Sequence, residues 1–357
     1  MKKLIASILL FIPLLLLLIG VNYFGDPANV FHANELVDSV FEITSSGKNA
    51  DGVSNYADRL FVERRITAMT EPPTVAVIGS SRTAQLDSFI IGEDCFNASV
   101  AGATLEDAAA IYEIYRECGL VPKRVILCVE PWYFDVNKND VRYGLYLSDY
   151  YESFIRRNID KNYKYTGETL FSKNAKELFS LGYFQTSANT LFNSGFSSPV
   201  RLATASDANE TNTGMIRSDG SFVYPNSYLR ASEQDVFARM SAAHLGILES
   251  LRDSNGIDEN NRAIFEALVN DIISDGSELS LLISPYHPYV YDEVMEDPGA
   301  SYTLLGIEAF LEELSAKKGI ELIGSYSPYE VGFGVPAFID ALHITYDKTY
   351  ELINGKM

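Results

Sequence analysis

The stretch VAVIGSSRTAQLD, Val75 to Asp87, decides how the chain is read. Four apolar residues run into Gly79, and two hydroxyls and an arginine follow, Ser80, Ser81 and Arg82. A short apolar run ending in glycine has the form of a buried strand leaving a sheet. The hydroxyls that follow have two readings. A serine there is a favoured helix N-cap, or it is a nucleophile held at the sheet edge, which needs a base and a carboxylate from elsewhere.

Working outward, the same texture recurs. CFNASVAG (95–102), RVILCVEP (124–131), LSLLISP (279–285) and GIELIG (319–324) read as four further strands. TLEDAAAIYEIYRECG (104–119) carries Leu105, Ala108, Ile111, Tyr112 and Tyr115 at helical spacing, with Gly119 as the stop. TLLGIEAFLEELSAKKG (303–319) is a second amphipathic helix. Strand, helix, strand in this rhythm predicts right-handed crossovers. The expected fold is therefore α/β, a three-layer α/β/α sandwich around a mainly parallel five-stranded sheet.

The segment from about 140 to 275 is too long for one crossover. It reads as a large, mainly helical insertion over the sheet's ligand edge. RSDGSFVYPN (217–226) is an expected hairpin, with helices at about 232–253 and 259–274. In the first helix Phe237, Met240, His244, Ile247, Leu248 and Leu251 share one face. No repeat of fixed period is present.

The first 22 residues read as a membrane anchor. Lys2 and Lys3 precede an uncharged run, Leu4 to Val21, long enough to span most of a hydrocarbon core. The lysines place the N-terminus in the cytoplasm and the rest of the chain outside. A cleaved signal peptide is the rival, but no small-x-small site follows the run. Residues 23–70, including the Ser-, Gly- and Asn-rich ITSSGKNADGVSNYADR, read as a juxtamembrane stalk. Residues 71–357 then form the main domain.

Formal net charge is −20, from 28 basic and 48 acidic residues. That balance disfavours a nucleic-acid partner and electrostatic docking on anionic lipid. Three cysteines, Cys95, Cys118 and Cys128, have no zinc spacing and form no disulfide framework. No phosphate loop, dinucleotide fingerprint or paired metal ligands appear, so neither cofactor nor metal is expected.

Ligands of an open parallel sheet sit beyond the carboxyl ends of its strands. Those positions hold Ser80, Ser81 and Arg82; Asn97, Ser99 and Gly102; Glu130 and Trp132; Ser284 and His287; and, near the C-terminus, Asp340 and His343 in FIDALHIT. A serine hydroxyl needs a base, and the base needs a carboxylate to fix its tautomer. Asp340 and His343 are three apart and would face one way on a helical turn. A structural protein would instead leave Ser81 and His343 too far apart to hydrogen-bond. Arg82, Trp132 and His287 are candidate substrate contacts. Each has a plainer alternative: an ion pair for Arg82, packing for Trp132, and for His287 a second candidate base. His244 reads as a core histidine and His32 as inert.

These blocks resemble the SGNH (GDSL-like) hydrolases. VIGSSRT is similar to the first block, which makes Ser81 the nucleophile. NASVAG is similar to the second, whose glycine, here Gly102, shares the oxyanion hole with the Ser81 N–H. DALH is similar to the last, giving Asp340 and His343. With the anchor and VILCVEPWYF, the chain looks most like the membrane-anchored branch of bacterial envelope polymer modification, such as the alginate O-acetylation and teichoic-acid D-alanylation proteins. The resemblance covers roughly 74–134 and 279–346. It implies a serine esterase or O-acyltransferase acting on acyl groups, acetyl foremost, of an envelope or exported polysaccharide, beside a membrane-bound O-acyltransferase. In such a bacterial chain the sequons NAS and NET carry no meaning. One departure stands out: where the family's third block carries an oxyanion asparagine, this chain has Glu130-Pro131-Trp132. That motivates a second class of reading, a non-catalytic glycan-binding or acyltransferase-partner protein.

Overall fold

Five short strands build the central sheet. The computed structural model describes residues 2–137, 141–194 and 202–355, the side chains of residues 2–10 excepted. Numbering strands in chain order from β1 (Asn49–Asp51), the sheet comprises β2 (Val75–Ile78), β3 (Cys95–Asn97), β4 (Arg124–Cys128), β8 (Glu278–Ile283) and β9 (Glu321–Gly324). All four pairings are parallel, in the spatial order β3-β2-β4-β8-β9. The five strands expected from sequence are thus all present.

The apolar runs are continuous because both faces are covered. Ala76, Ile78, Val125, Leu127, Leu281 and Ile283 face the larger core, which includes helices Leu105–Glu117, Glu259–Ser274 and Pro298–Lys318. Val75, Val77, Ile126 and Leu282 face a smaller core under the C-terminal helix Tyr346–Asn354. Helix Leu105–Glu117 starts at a capping box between Thr104 and Asp107, and Gly119 follows it at φ +69.

A second, four-stranded sheet has the order β5-β1-β6-β7, with β5 at Thr204–Ser206, β6 at Met215–Ile216 and β7 at Phe222–Val223. β6 and β7 are the expected hairpin. Helices Glu233–Ser254 and Glu259–Ser274 lie within a residue of the expected bounds. In the first, Met240 and Leu251 are buried, but Phe237 is 56% exposed and packs its ring on that of Tyr289, so it is not a core residue. His244 is half-buried, its Nδ1 2.8 Å from Ser241 O.

Residues 23–70 are not a stalk. Helices Ala33–Ser45 and Asp58–Thr67 bury Leu36, Val37, Val40, Phe61, Val62 and Ile66 in the main core. Arg59 enters with them, paired to buried Asp107 at 2.6 Å. The Ser/Gly/Asn-rich stretch carries the end of the first of these helices, β1 with the links on either side of it, and the start of the second. His32 is buried and bound to Asp26, whose carboxylate also accepts the N–H groups of Val30, Phe31 and His32.

Helix Lys2–Gly25 covers the expected anchor, part of which lies outside the described side chains. Among the described residues, no helix is long and apolar enough to cross a membrane.

Candidate active site

The two serines after β2 have separate fates. Ser80 is fully buried. Its hydroxyl donates to Glu130 Oε1 and accepts from the Arg82 N–H at 3.1 Å, so it caps the short turn Ser81–Thr83. Ser81 is half-buried and its Oγ lies 2.8 Å from His343 Nε2. His343 Nδ1 in turn lies 2.8 Å from Asp340 Oδ2 and 2.9 Å from Oδ1. A carboxylate only accepts, so Nδ1 carries the proton that faces it; in the neutral imidazole Nε2 is then bare and accepts from Ser81. This is the protonation pattern a nucleophile, base and orienting acid require.

Asp340 and His343 do not sit on a helical turn as expected. They lie in a loop closed by a bridge between Phe338 and Ile344. The loop holds its own geometry, because Asp340 Oδ1 also accepts from the N–H of Leu342 (2.8 Å) and of His343 (2.9 Å). Burial pushes the Asp340 carboxyl up. The hydrogen bond and charge of His343 and the two backbone donors outweigh this and leave it below the ordinary value of 3.8. A depressed carboxylate contributes stability that is complete above the unfolded pKa and is lost as pH falls through the folded one. The stability gap between wild type and Asp340→Asn is therefore expected to be constant above about pH 5 and to close under acid. Denaturant unfolding at stepped pH measures it; a gap that persists at low pH contradicts the assignment.

The second-block loop runs beside the serine turn. Val100 N–H donates to Gly79 O at 3.0 Å, and Ser99 Oγ is 2.9 Å from Thr83 Oγ1. Buried Asn97 fastens the turn by donating to the carbonyls of Thr83 (2.8 Å) and Leu86 (2.9 Å). Gly79 is required by space, since a Cβ there would come within 2.5 Å of Cys128 Cβ. Gly102 is required by conformation at φ +56. Its C=O accepts from Arg142 Nη2 at 3.3 Å, and the preceding Ala101 N–H donates to Asp58. Ser81 opens its turn, so its N–H has no acceptor within that turn.

The three candidate substrate contacts fare differently. Arg82 is buried and engaged by Glu130 Oε2 at 3.0 Å and by the carbonyls of Ser284 and Pro285; it is an internal ion pair, not a ligand contact. Burial, the largest influence, would lower its pKa, but Glu130 together with the neighbouring Tyr286, Cys128 and Tyr326 outweighs this and raises it. His287 is buried as well. Its Nδ1 caps helix Pro288–Glu296 at the Tyr289 N–H (3.2 Å), and its ring packs on Phe338. Burial lowers its pKa, which Asp340 only partly opposes. It supports the loop behind the acid, where its backbone N–H donates to Ala341 O at 3.1 Å. Trp132 is half-buried and donates Nε1–H to Ala103 O at 2.8 Å.

Sequence reasoning missed Tyr224. It follows β7, donates its hydroxyl to Ser81 O at 3.2 Å and sets its ring 5.5 Å from His343. The expected hairpin was the signal that existed. Its arrival at the serine depends on a long-range placement that no local pattern encodes.

No family model matches the chain, and no curated protein matches it.

Proposed function

We propose that the protein is a membrane-tethered, extracytoplasmic serine esterase or O-acyltransferase of the SGNH type, handling acyl groups of an envelope or exported polysaccharide. The observation that supports this most is the hydrogen-bonded chain from Ser81 Oγ through His343 to Asp340. Ser81 attacks the acyl carbonyl as its proton passes to His343 Nε2. The same proton then goes to the leaving sugar oxygen, and water or a second hydroxyl releases the acyl group. Asp340 keeps the imidazole in the required tautomer. The N–H groups of Ser81 and Gly102 receive the oxyanion. Helix Lys2–Gly25 anchors the chain with the catalytic domain outside, where the polymer and a membrane-bound O-acyltransferase are the partners. No cofactor enters this scheme.

A second reading has one observation in its favour. The position of the family's third-block amide is held by Glu130, which is fully committed to Ser80 and Arg82 and offers no donor. A binding protein on the same scaffold would tolerate that loss. A fluorophosphonate probe separates the two, because it reacts only with an activated serine. Labelling of the wild-type protein and none of Ser81→Ala is expected. An unlabelled wild type, beside a labelled control esterase, leaves the binding reading.

A further inference from the structure

Two short helices that follow one another, Leu170–Leu178 and Leu181–Asn193, turn large apolar side chains toward solvent. The first has no buried residue at all, and the second buries only Ser187 and Leu191. Phe171 is 85% exposed, Leu181 76% and Phe179 55%. In water such an exposed set is costly, and it marks an interaction surface.

The hairpin is bolted to the N-terminal helix. Asn22 is buried and donates its amide to the carbonyls of Glu177, Leu178 and Ser180 at 2.9 to 3.1 Å. Tyr183 donates its hydroxyl to Asp26 at 2.6 Å. Gly25 lies so close to Ser187 that a Cβ would stand 2.5 Å from its carbonyl oxygen. An apolar groove of about 500 Å³ runs between the Phe11–Leu18 side of the N-terminal helix and Leu181 and Phe184. Leu181 and Phe184, at the start of the second helix, therefore lie level with the apolar part of the N-terminal helix rather than beyond it.

Charge does not oppose this placement. Although the chain carries −20 overall, the stretch 160–177 is close to balanced, with Lys161, Lys164, Lys173 and Lys176 against Asp160, Glu168 and Glu177, and Lys176 lies 4.0 Å from Glu168. The whole-chain balance, which disfavours anionic lipid, does not apply locally. Exposed aromatic and aliphatic side chains beside lysines are the composition of a helix lying in a membrane interface.

We propose that the hairpin 170–193 lies in the outer interface of the bilayer, with Phe171, Phe179 and Leu181 among the lipid chains and the nearby lysines at anionic headgroups. The occupant of the apolar face is lipid. This rests on the anchoring of helix Lys2–Gly25 and is independent of the catalytic reading. It gives the domain two points of membrane attachment, a span and a surface, and so a fixed orientation of the site above the bilayer instead of free rotation about one helix.

The test uses the full chain in vesicles of phosphatidylcholine and phosphatidylglycerol. In a Cys118→Ser background, with Cys95 and Cys128 buried, single Phe171→Cys, Phe179→Cys and Leu181→Cys variants are labelled with an environment-sensitive fluorophore. Quenching by shallow spin-labelled lipid is expected at all three, and none at a Tyr302→Cys probe on helix Pro298–Lys318, where Tyr302 is 68% exposed. A Leu15→Cys probe, read with lipid spin-labelled deep in its acyl chain, reports the anchor itself. Hairpin probes that stay in water while Leu15→Cys is quenched overturn the proposal and leave the anchor standing. An unquenched Leu15→Cys probe overturns the anchor and the proposal with it. Hairpin probes that are dry but unreachable by quencher lipid show a protein cover, a second copy or a partner, and also overturn it.

Discussion

Ser81→Ala is expected to reduce turnover of p-nitrophenyl acetate by about 10³-fold or more, with KM little changed and the fold intact. The loss is large because the hydroxyl is the bond-forming atom, and removing it leaves only the oxyanion donors and binding to accelerate hydrolysis. Stability should change little. Ser81 is half-buried, its hydroxyl bonds to His343, and its carbonyl contact to Tyr224 survives the substitution. Ser80→Ala is the informative contrast. Its hydroxyl is buried against Glu130, so that variant should lose stability and retain much of its activity at temperatures where it is folded. Undiminished turnover by Ser81→Ala removes Ser81 from the mechanism. A collapse in both variants to the same degree would mean that activity merely follows the fold of the turn.

The opposite fates of adjacent hydroxyls show where sequence reading ends. The strands are legible because a parallel sheet covered on both faces must be written as apolar runs. Helices 104–119 and 259–274 are legible from capping residues and a 3.6-residue period. The pairing of Ser81 with Asp340 and His343 is legible from the turn after the first sheet strand, the late Asp-x-x-His beyond the last, and the family resemblance that joins them. Burial is not. Nothing local in GSSR says that Arg82 turns inward to Glu130 while Ser81 turns outward, and His287 looks available because a histidine after a strand commonly is. The segment 23–70 reads as a stalk because its polar links around β1 are conspicuous. The apolar spacing of Leu36, Val37 and Val40, and of Phe61, Val62 and Ile66, is too short to stand out beside them. At Asp340 and His343 the expected helical turn gives way to backbone bonds that hold the carboxylate more tightly.

The second large effect concerns Glu130, which stands where an oxyanion amide would be sought. Glu130→Gln is expected to cost about 3–5 kcal/mol of stability, because it leaves the Arg82 guanidinium buried with no counter-charge. Both side chains of the pair are fully buried, and the distance between them is 3.0 Å. Carbonyls of Ser284 and Pro285 still bind the guanidinium, but neutral dipoles do not repay the desolvation of a full charge. Cys128 is a neighbour in the same cluster, where burial and then the Glu130 charge raise its thiol pKa and Arg82 opposes them. Replacing both partners, Arg82→Met with Glu130→Gln, should recover part of the loss, since an apolar group of similar length removes the orphaned charge. Denaturant unfolding of the two single variants and the double variant measures the coupling. A Glu130→Gln protein as stable as wild type would show that the ion pair is not what fixes the serine turn. If that stable variant also labelled faster with fluorophosphonate, the new amide would be acting in the oxyanion hole after all. The expected result, a destabilised protein whose folded fraction labels at the wild-type rate, makes Glu130 the foundation of the turn that aims Ser81 at His343.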